Sequence, residues 1–213
     1  MPTTILFIRH GENPANLTGQ LSRRDVDLSL TERGRRQAQA VAEHLAAGHE
    51  GPVVSVFSSP LRRARETAAV IGFVLGLEVD VLEELRELNV GDLEGRSDDD
   101  AWRIHDEIDA AWLGGRAEGA FPGGEDLPTA LGRFGGALRT IVARVGDGRA
   151  VVVGHGGIMR IGAANLFRDP ATEPISDPIA NASIIELELD LDGDAVRGRV
   201  LGWARDEHLA VVE

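Results

Sequence analysis

The sequence has no cysteine, no tyrosine and no lysine; its 22 basic residues are all arginine. Without cysteine there is no disulfide, no thiolate nucleophile and no cysteine-ligated zinc. Without lysine there is no Schiff base and no P-loop lysine for a nucleotide phosphate. Without tyrosine there is no phenol to act as nucleophile or acid. Covalent catalysis is confined to Ser, Thr, His, Asp or Glu, and fixed positive charge to Arg or a metal. A GC-rich genome, whose codons favour Arg, Ala and Gly, is the simplest source of the lysine gap. Long apolar runs are also missing, and none approaches transmembrane length. The opening Met-Pro-Thr-Thr lacks the basic segment and long apolar stretch of a signal peptide, so a soluble cytoplasmic protein is expected.

Acidic residues number 35, for a net charge of -13. That excess disfavours nucleic acid or an anionic membrane as a partner. Hydrophobic residues make up 43% of 213 positions, enough for a sizeable core. One domain over 1–213 is expected, with an insertion at about 97–126 acting as a cap.

Thr4 to Ile8 has the run of a buried strand ending in Arg-His-Gly. A loop continues to about Ser29, where Ser29-Leu-Thr-Glu32 fits a capping box for a helix over Arg33 to Gly48. A strand over Pro52 to Phe57 ends in Ser58-Ser59-Pro60, and a helix follows from Leu61 to Leu75, with Gly76 as its stop. Glu78 to Leu82 is a third short strand. The acidic stretch Asp98 to Gly124 suits an irregular or helical insertion. Asp126 suits the cap of a helix over Leu127 to Val145. Arg149 to Val153 is a buried strand ending in Gly154-His155-Gly156-Gly157, followed by a helix over Ile158 to Phe167. Ser183 to Leu189 alternates as a more exposed strand would, with Arg197 to Ala204 as its hairpin partner and Asp192-Gly193 as the turn. This alternation predicts an α/β fold: a mostly parallel sheet with helices on both faces, in three α/β/α layers. In such sheets ligands sit beyond the carboxyl ends of the strands. His10 and His155 both fall there.

Four segments carry chemistry. Arg9-His10-Gly11-Glu12 lets backbone approach a ligand closely. Ser59 to Thr67 opens a helix crowded with Arg62, Arg63 and Arg65, and a helix N-terminus favours anions. Leu85 to Gly95 offers carboxylates as general acids. Gly154-His155-Gly156-Gly157 adds backbone N–H groups and a second helix dipole. Together they suit a dianionic phosphoryl group, gripped by Arg forks and attacked in line by an imidazole while a carboxylic acid protonates the leaving oxygen.

The sequence resembles the histidine phosphatase superfamily, the phosphoglycerate-mutase-like branch 1, from Ile5 nearly to Leu209. Arg9-His10-Gly11 with Asn16 matches its signature. Asp27-Leu28-Ser29-Leu30-Thr31 with Gly34, Gln37 and Ala38 matches its next motif. So do Ser59-x-Leu61-x-Arg63-Ala64-x-x-Thr67, Leu85-x-Glu87-x-x-x-Gly91, Pro122-Gly123-Gly124-Glu125 and Gly154-His155-Gly156-Gly157. The resemblance implies a phosphoglycerate-mutase-like fold and roles for single residues. His10 would form a phosphohistidine. Arg9, Arg63 and His155 would hold the phosphoryl group, with Asn16 and the Gly156 N–H. Glu87 would be the general acid and base, with Glu94 as the competing carboxylate. No metal and no cofactor is implied.

Departures concern the rim. Ser22-Arg23-Arg24 stands where the family often has Gly beside Gln or Trp. Ser22 and Arg23 are candidate substrate contacts; Arg23 or Arg24 would reach the non-phosphate end, unless the pair faces solvent. Asp126 replaces a Ser, and Ala204 an Asn. His44, His49 and His105 are expected on the surface. Trp102, Trp112 and Phe121 either line the pocket or fasten the insertion.

The glycolytic mutases resembling this chain carry a longer, basic insertion, whereas Asp98 to Asp126 holds only Arg103 and Arg116 among many acids. A phosphatase acting on a small phosphorylated metabolite is therefore expected. A cofactor-dependent phosphoglycerate mutase and an inactive phosphate-binding module are the alternatives. A homodimer is left open.

Overall fold

The computed structural model describes residues 2–48, 51–167 and 179–212. Its centre is a six-stranded sheet in the order β3-β2-β4-β1-β5-β6. Strands β1 (Thr3–Arg9), β2 (Ser55–Ser58), β3 (Val79–Val81) and β4 (Arg149–Gly154) run parallel, while β5 (Ile184–Asp192) and β6 (Ala195–Arg205) form an antiparallel hairpin beside β1. The expected mostly parallel sheet is present, mixed at one side.

The central strands are apolar on both faces because helices cover both. Leu6, Ile8, Val151 and Val153 pack with Val41 and Ala42 of α2 (Glu32–Ala46) and Ala64, Ala68 and Ile71 of α3 (Arg62–Leu75). Ile5, Phe7 and Val152 face the other way, towards Phe134 and Ile141 of α5 (Leu127–Val145) and Ile158 of α6 (Gly156–Leu166). Burying each Val, Leu, Ile or Phe side chain among them contributes about 1.5–3 kcal/mol. A short helix α1 (Pro14–Thr18) interrupts the segment expected as loop, because Asn13 and Asn16 form a reciprocal cap and Pro14 stands at its first turn. The insertion folds as α4 (Asp99–Leu113), capped by Asp98.

Some boundaries differ from the sequence expectations. The cap of α2 is Thr31, not Ser29: its hydroxyl oxygen accepts from the Gly34 N–H at 3.0 Å and donates to Glu12 Oε1 at 2.7 Å. That threonine ties the loop after β1 to the helix. Gly11 and Gly34 close the same junction, where a Cβ on Gly11 would lie 2.4 Å from the Gly34 carbonyl oxygen. Strand β5 is buried over Ile184, Ile185, Leu187 and Leu189 rather than exposed, because it lies beside β1 beneath both helix layers. The hairpin turn is Gly193-Asp194, one residue later than expected, since Asp192 still pairs with Ala195. Among the described residues, no helix is long and apolar enough to cross a membrane.

Candidate active site

Strand register assembles the site. Arg9 pairs with Gly154 across β1 and β4, so the residues that follow, His10 and His155, leave the sheet side by side. Their ring centroids are 5.3 Å apart. Ser58 pairs with Val153 on the other side of β4, which carries Ser59 to His155: Ser59 Oγ lies 2.7 Å from His155 Nε2.

His10 is 4% exposed and sits in a defined tautomer. Its Nδ1 is 2.7 Å from the Gly11 carbonyl oxygen, which only accepts, so Nδ1 carries the proton. Nε2 then keeps its lone pair and accepts from Arg63 Nε at 3.1 Å. Burial, then the charges of Arg63, His155 and Arg9, push the His10 pKa well below the usual histidine value. His155 is pushed down likewise by burial, then Arg63, Arg23 and Arg9. Both rings are neutral at pH 7.

Arg63 is 1% exposed. Its Nη2 donates to the Ser22 and Arg23 carbonyls at 3.1 Å each, while Nη1 has no hydrogen-bond partner among the described residues and stands 3.9 Å from Asp27 Oδ1. Arg9 holds the Ile179 carbonyl through Nη1, and its Nε is also without a partner. Burial drags both guanidinium groups down to about 10, so both stay charged at pH 7. Both guanidinium groups line the same cavity, and a planar donor fork there suits an anion.

Glu87 is 2% exposed and holds four donors. Oε2 accepts from Arg23 Nη1 and the Gly157 N–H, both at 2.9 Å; Oε1 accepts from the Leu88 N–H at 2.9 Å and the Ile158 N–H at 2.7 Å. Burial opposes its charge, but Arg23 and the three N–H groups prevail and hold the pKa at about 2. Gly157 is required for this approach: a Cβ there would sit 2.7 Å from Glu87 Oε1.

These groups open on a cavity of about 380 Å³. Arg9, His10, Arg63, Glu87 and Gly156 line its floor, and Asn16, Ser22 and Arg23 its wall. His155 does not line it; the ring is fully buried behind His10. The Ser22 hydroxyl is spent on the Val26 carbonyl, and Asn16 Oδ1 accepts from the Asn13 N–H and Asn181 Nδ2 at 3.0 and 3.2 Å. The two rim arginines part company. Arg23 faces inward, whereas Arg24 donates to the Glu87 carbonyl at 3.0 Å and to Glu125 Oε2 at 3.4 Å, outside the cavity. Glu94 is not a cavity residue. It accepts from the N–H groups of Arg23, Arg24 and Val26 and so ties down the loop that carries Arg23.

Trp102 is among the aromatics expected to line the pocket or fasten the insertion, and it lines the cavity; other wall residues, His105 and Asp109 of α4 and Arg160 of α6, had no signal in the sequence. His105, expected on the surface, is 4% exposed and lines the cavity from α4, with Asp109 and Trp102. Its position on the inner face of α4 puts it there. Arg160 of α6 pairs with Asp109 across the opening. Trp112 and Phe121 do not line the cavity; they meet edge-on at 5.1 Å in the core beneath α4. His44 is half-buried against the His208 ring at 5.2 Å, and His49 lies outside the described residues. The Asp126 departure is a helix cap, its side chain accepting from the Thr129 N–H at 2.9 Å.

A family model for the histidine phosphatase superfamily (branch 1) matches residues 5–200. The chain belongs to this superfamily. Among curated branch 1 relatives, a phosphoglycerate mutase-like protein 4 of Arabidopsis thaliana is 37% identical over 96% of this chain and 86% of its own. A metal-independent phosphoserine phosphatase, also of Arabidopsis thaliana, is 34% identical over 74% of this chain and 66% of its own. The solved structure of a mycobacterial glucosyl-3-phosphoglycerate phosphatase with VO3 superimposes with a TM-score of 0.80 at 29% identity, covering 95% of this chain and 99% of that one. The protein thus has the phosphoglycerate-mutase-like fold and relatives named as phosphatases.

Proposed function

We propose that the protein is a metal-independent phosphatase hydrolysing a small phosphomonoester, a phosphorylated metabolite of the cytoplasm, through a phosphohistidine on His10. The observation that carries this reading is the His10 Nε2 lone pair, kept neutral beside the unpartnered donors of Arg9 and Arg63. Phosphatases among the relatives support it.

His10 Nε2 attacks phosphorus in line. Arg9 Nε, Arg63 Nη1 and the N-terminus of α6 at Gly156 take the equatorial oxygens. Glu87 protonates the leaving oxygen, then takes a proton from the water that attacks the phosphohistidine. His155, fully buried beside His10 with its Nε2 on Ser59 Oγ, packs against the His10 ring rather than lining the cavity.

The test is phosphate release across sugar phosphates, phosphoglycerates, nucleotides and phosphoamino acids. Hydrolysis is expected to resist EDTA, to be blocked by vanadate and to fall at least ~10²-fold in His10→Ala. Undiminished turnover in that variant sinks the mechanism, and loss with EDTA sinks the metal-free reaction. Conversion of 3-phosphoglycerate to 2-phosphoglycerate without phosphate release selects the mutase instead.

A further inference from the structure

A general acid must carry a proton when the leaving oxygen departs, yet in this site the carboxyl group in that position is clamped as a carboxylate. The clamp is Arg23. Its Nη1 donates to Glu87 Oε2 at 2.9 Å, and its Nη2 lies 2.9 Å from His105 Nε2. His105 is set to receive that bond: Nδ1 faces Asp106 Oδ1 at 3.0 Å and carries the proton, so Nε2 offers a lone pair. The ring is wedged against Trp102 and Phe121, with centroids at 5.1 and 5.7 Å. One arginine therefore bridges the carboxylate and the cap helix α4.

The backbone of Arg23 is held outside the cavity, while its side chain reaches into it. The N–H donates to Glu94 Oε1 at 2.7 Å, and the carbonyl accepts from Arg63 Nη2 at 3.1 Å. The side chain is 18% exposed, against 1% for that of Arg63, and it lines the same cavity as Arg9, Arg63 and His10. Arg24 cannot stand in, because its guanidinium is held outside the cavity.

Building on the phosphatase reading, we propose that Arg23 is a positioning residue that changes partners: it clamps Glu87 in the empty site and passes to the phosphoryl oxygens when substrate enters. A dianion beside an ionised Glu87 is repelled, and a dianion outcompetes a monoanion for one guanidinium. Once Arg23 moves, Glu87 keeps only the N–H groups of Leu88, Gly157 and Ile158, and the new neighbour is negative. Both changes favour the protonated form. Glu87 takes one proton from solvent. As the His10 Nε2–P bond forms, the P–O bond breaks with its electron pair on the leaving oxygen, which receives the Glu87 proton. Water oxygen then bonds phosphorus as the N–P bond breaks, and its proton returns to Glu87. Other charged groups near Glu87 are Arg9 at the end of β1, Arg24, whose Nε donates to the Glu87 carbonyl, Arg63 on α3 and Arg133 on α5; Asp106 and Asp109 of α4 face the Arg23 side of the cavity. None of them donates to the carboxyl oxygens among the described bonds.

The experiment follows the Glu87 carboxyl carbon by NMR in protein carrying labelled glutamate, the signal being assigned by its loss in Glu87→Gln. Inorganic phosphate is the probe, so turnover is not needed. In the unaltered protein, saturating phosphate is expected to raise the Glu87 titration midpoint by at least ~1 pH unit. In Arg23→Gln the midpoint is raised before phosphate is added. In His105→Phe, which keeps Arg23 but removes its second acceptor, the midpoint of the empty site is unchanged or lower and still rises with phosphate. A midpoint indifferent to phosphate, or indifferent to Arg23→Gln in a folded protein, overturns the exchange. Absence of phosphate release from every ester, with the midpoint shift intact, overturns the phosphatase reading and leaves the exchange standing.

Discussion

At the scale of single residues, the site depends on arginine being a planar fork. Arg63 uses Nε on the His10 ring and Nη2 on two carbonyls, and has Nη1 left for a ligand. A lysine keeps the charge but offers no such fork, so the ring would lose its support and the loop its tether. Arg63→Lys is expected to lower kcat/KM by ~10²–10³-fold, measured by initial rates. A loss under ~5-fold would show that charge alone suffices. The motif register in the sequence pointed to Arg63 among its arginine neighbours, and the structure places it against His10. The choice between Arg23 and Arg24 was not legible, because adjacent residues in a loop differ only in which way the turn points them. Three N–H bonds to Glu94 decide that direction, and nothing in the local sequence announces a carboxylate seventy positions away.

At the scale of elements, caps and periodicity were legible where the chain signals locally. Asp126 and Gly76 end α5 and α3 where the sequence placed them. The burial of β5 was not legible, since its alternation of apolar and acidic residues hides that it lies between β1 and β6. The inward face of α4 was hidden for the same reason: an amphipathic helix does not say what it covers. The end of β6 holds a further consequence. Ala204 has φ 47°, in the left-handed region that costs an L-residue with a Cβ about 1–2 kcal/mol. Ala204→Gly is therefore expected to stabilise the protein by about 1 kcal/mol, offset in part by the freedom glycine has when unfolded. Urea denaturation midpoints check this, and an unchanged or lower midpoint contradicts it.

At the scale of the whole molecule, burying neutral histidines ties stability to pH. The folded-state pKa values of His10 and His155 lie well below the ordinary value, so the unfolded chain binds the extra protons. Their contribution is complete above about pH 6.5 and is lost as the pH falls below it, at about 1.4 kcal/mol per pH unit from each. Glu87 adds to the loss further down, since its stabilisation is present above the ordinary carboxylate range and fades as the pH falls towards about 2. Melting temperatures are expected to drop steadily from pH 7 to pH 5. The drop should flatten in the double variant His10→Gln, His155→Asn; a slope unaltered by those changes would locate the pH sensitivity elsewhere.

The pairing of Arg9 with Gly154 has a meaning beyond placing two rings. The His10 N–H donates to the Gly154 carbonyl at 3.0 Å, as one more rung of the central ladder. His10 and the heart of the fold thus share the same hydrogen bonds, closed between segments far apart in the chain. His10 and His155 are brought side by side only when β1 and β4 pair, a contact of large sequence separation. Helix α4, built from one continuous segment, has no part in that ladder.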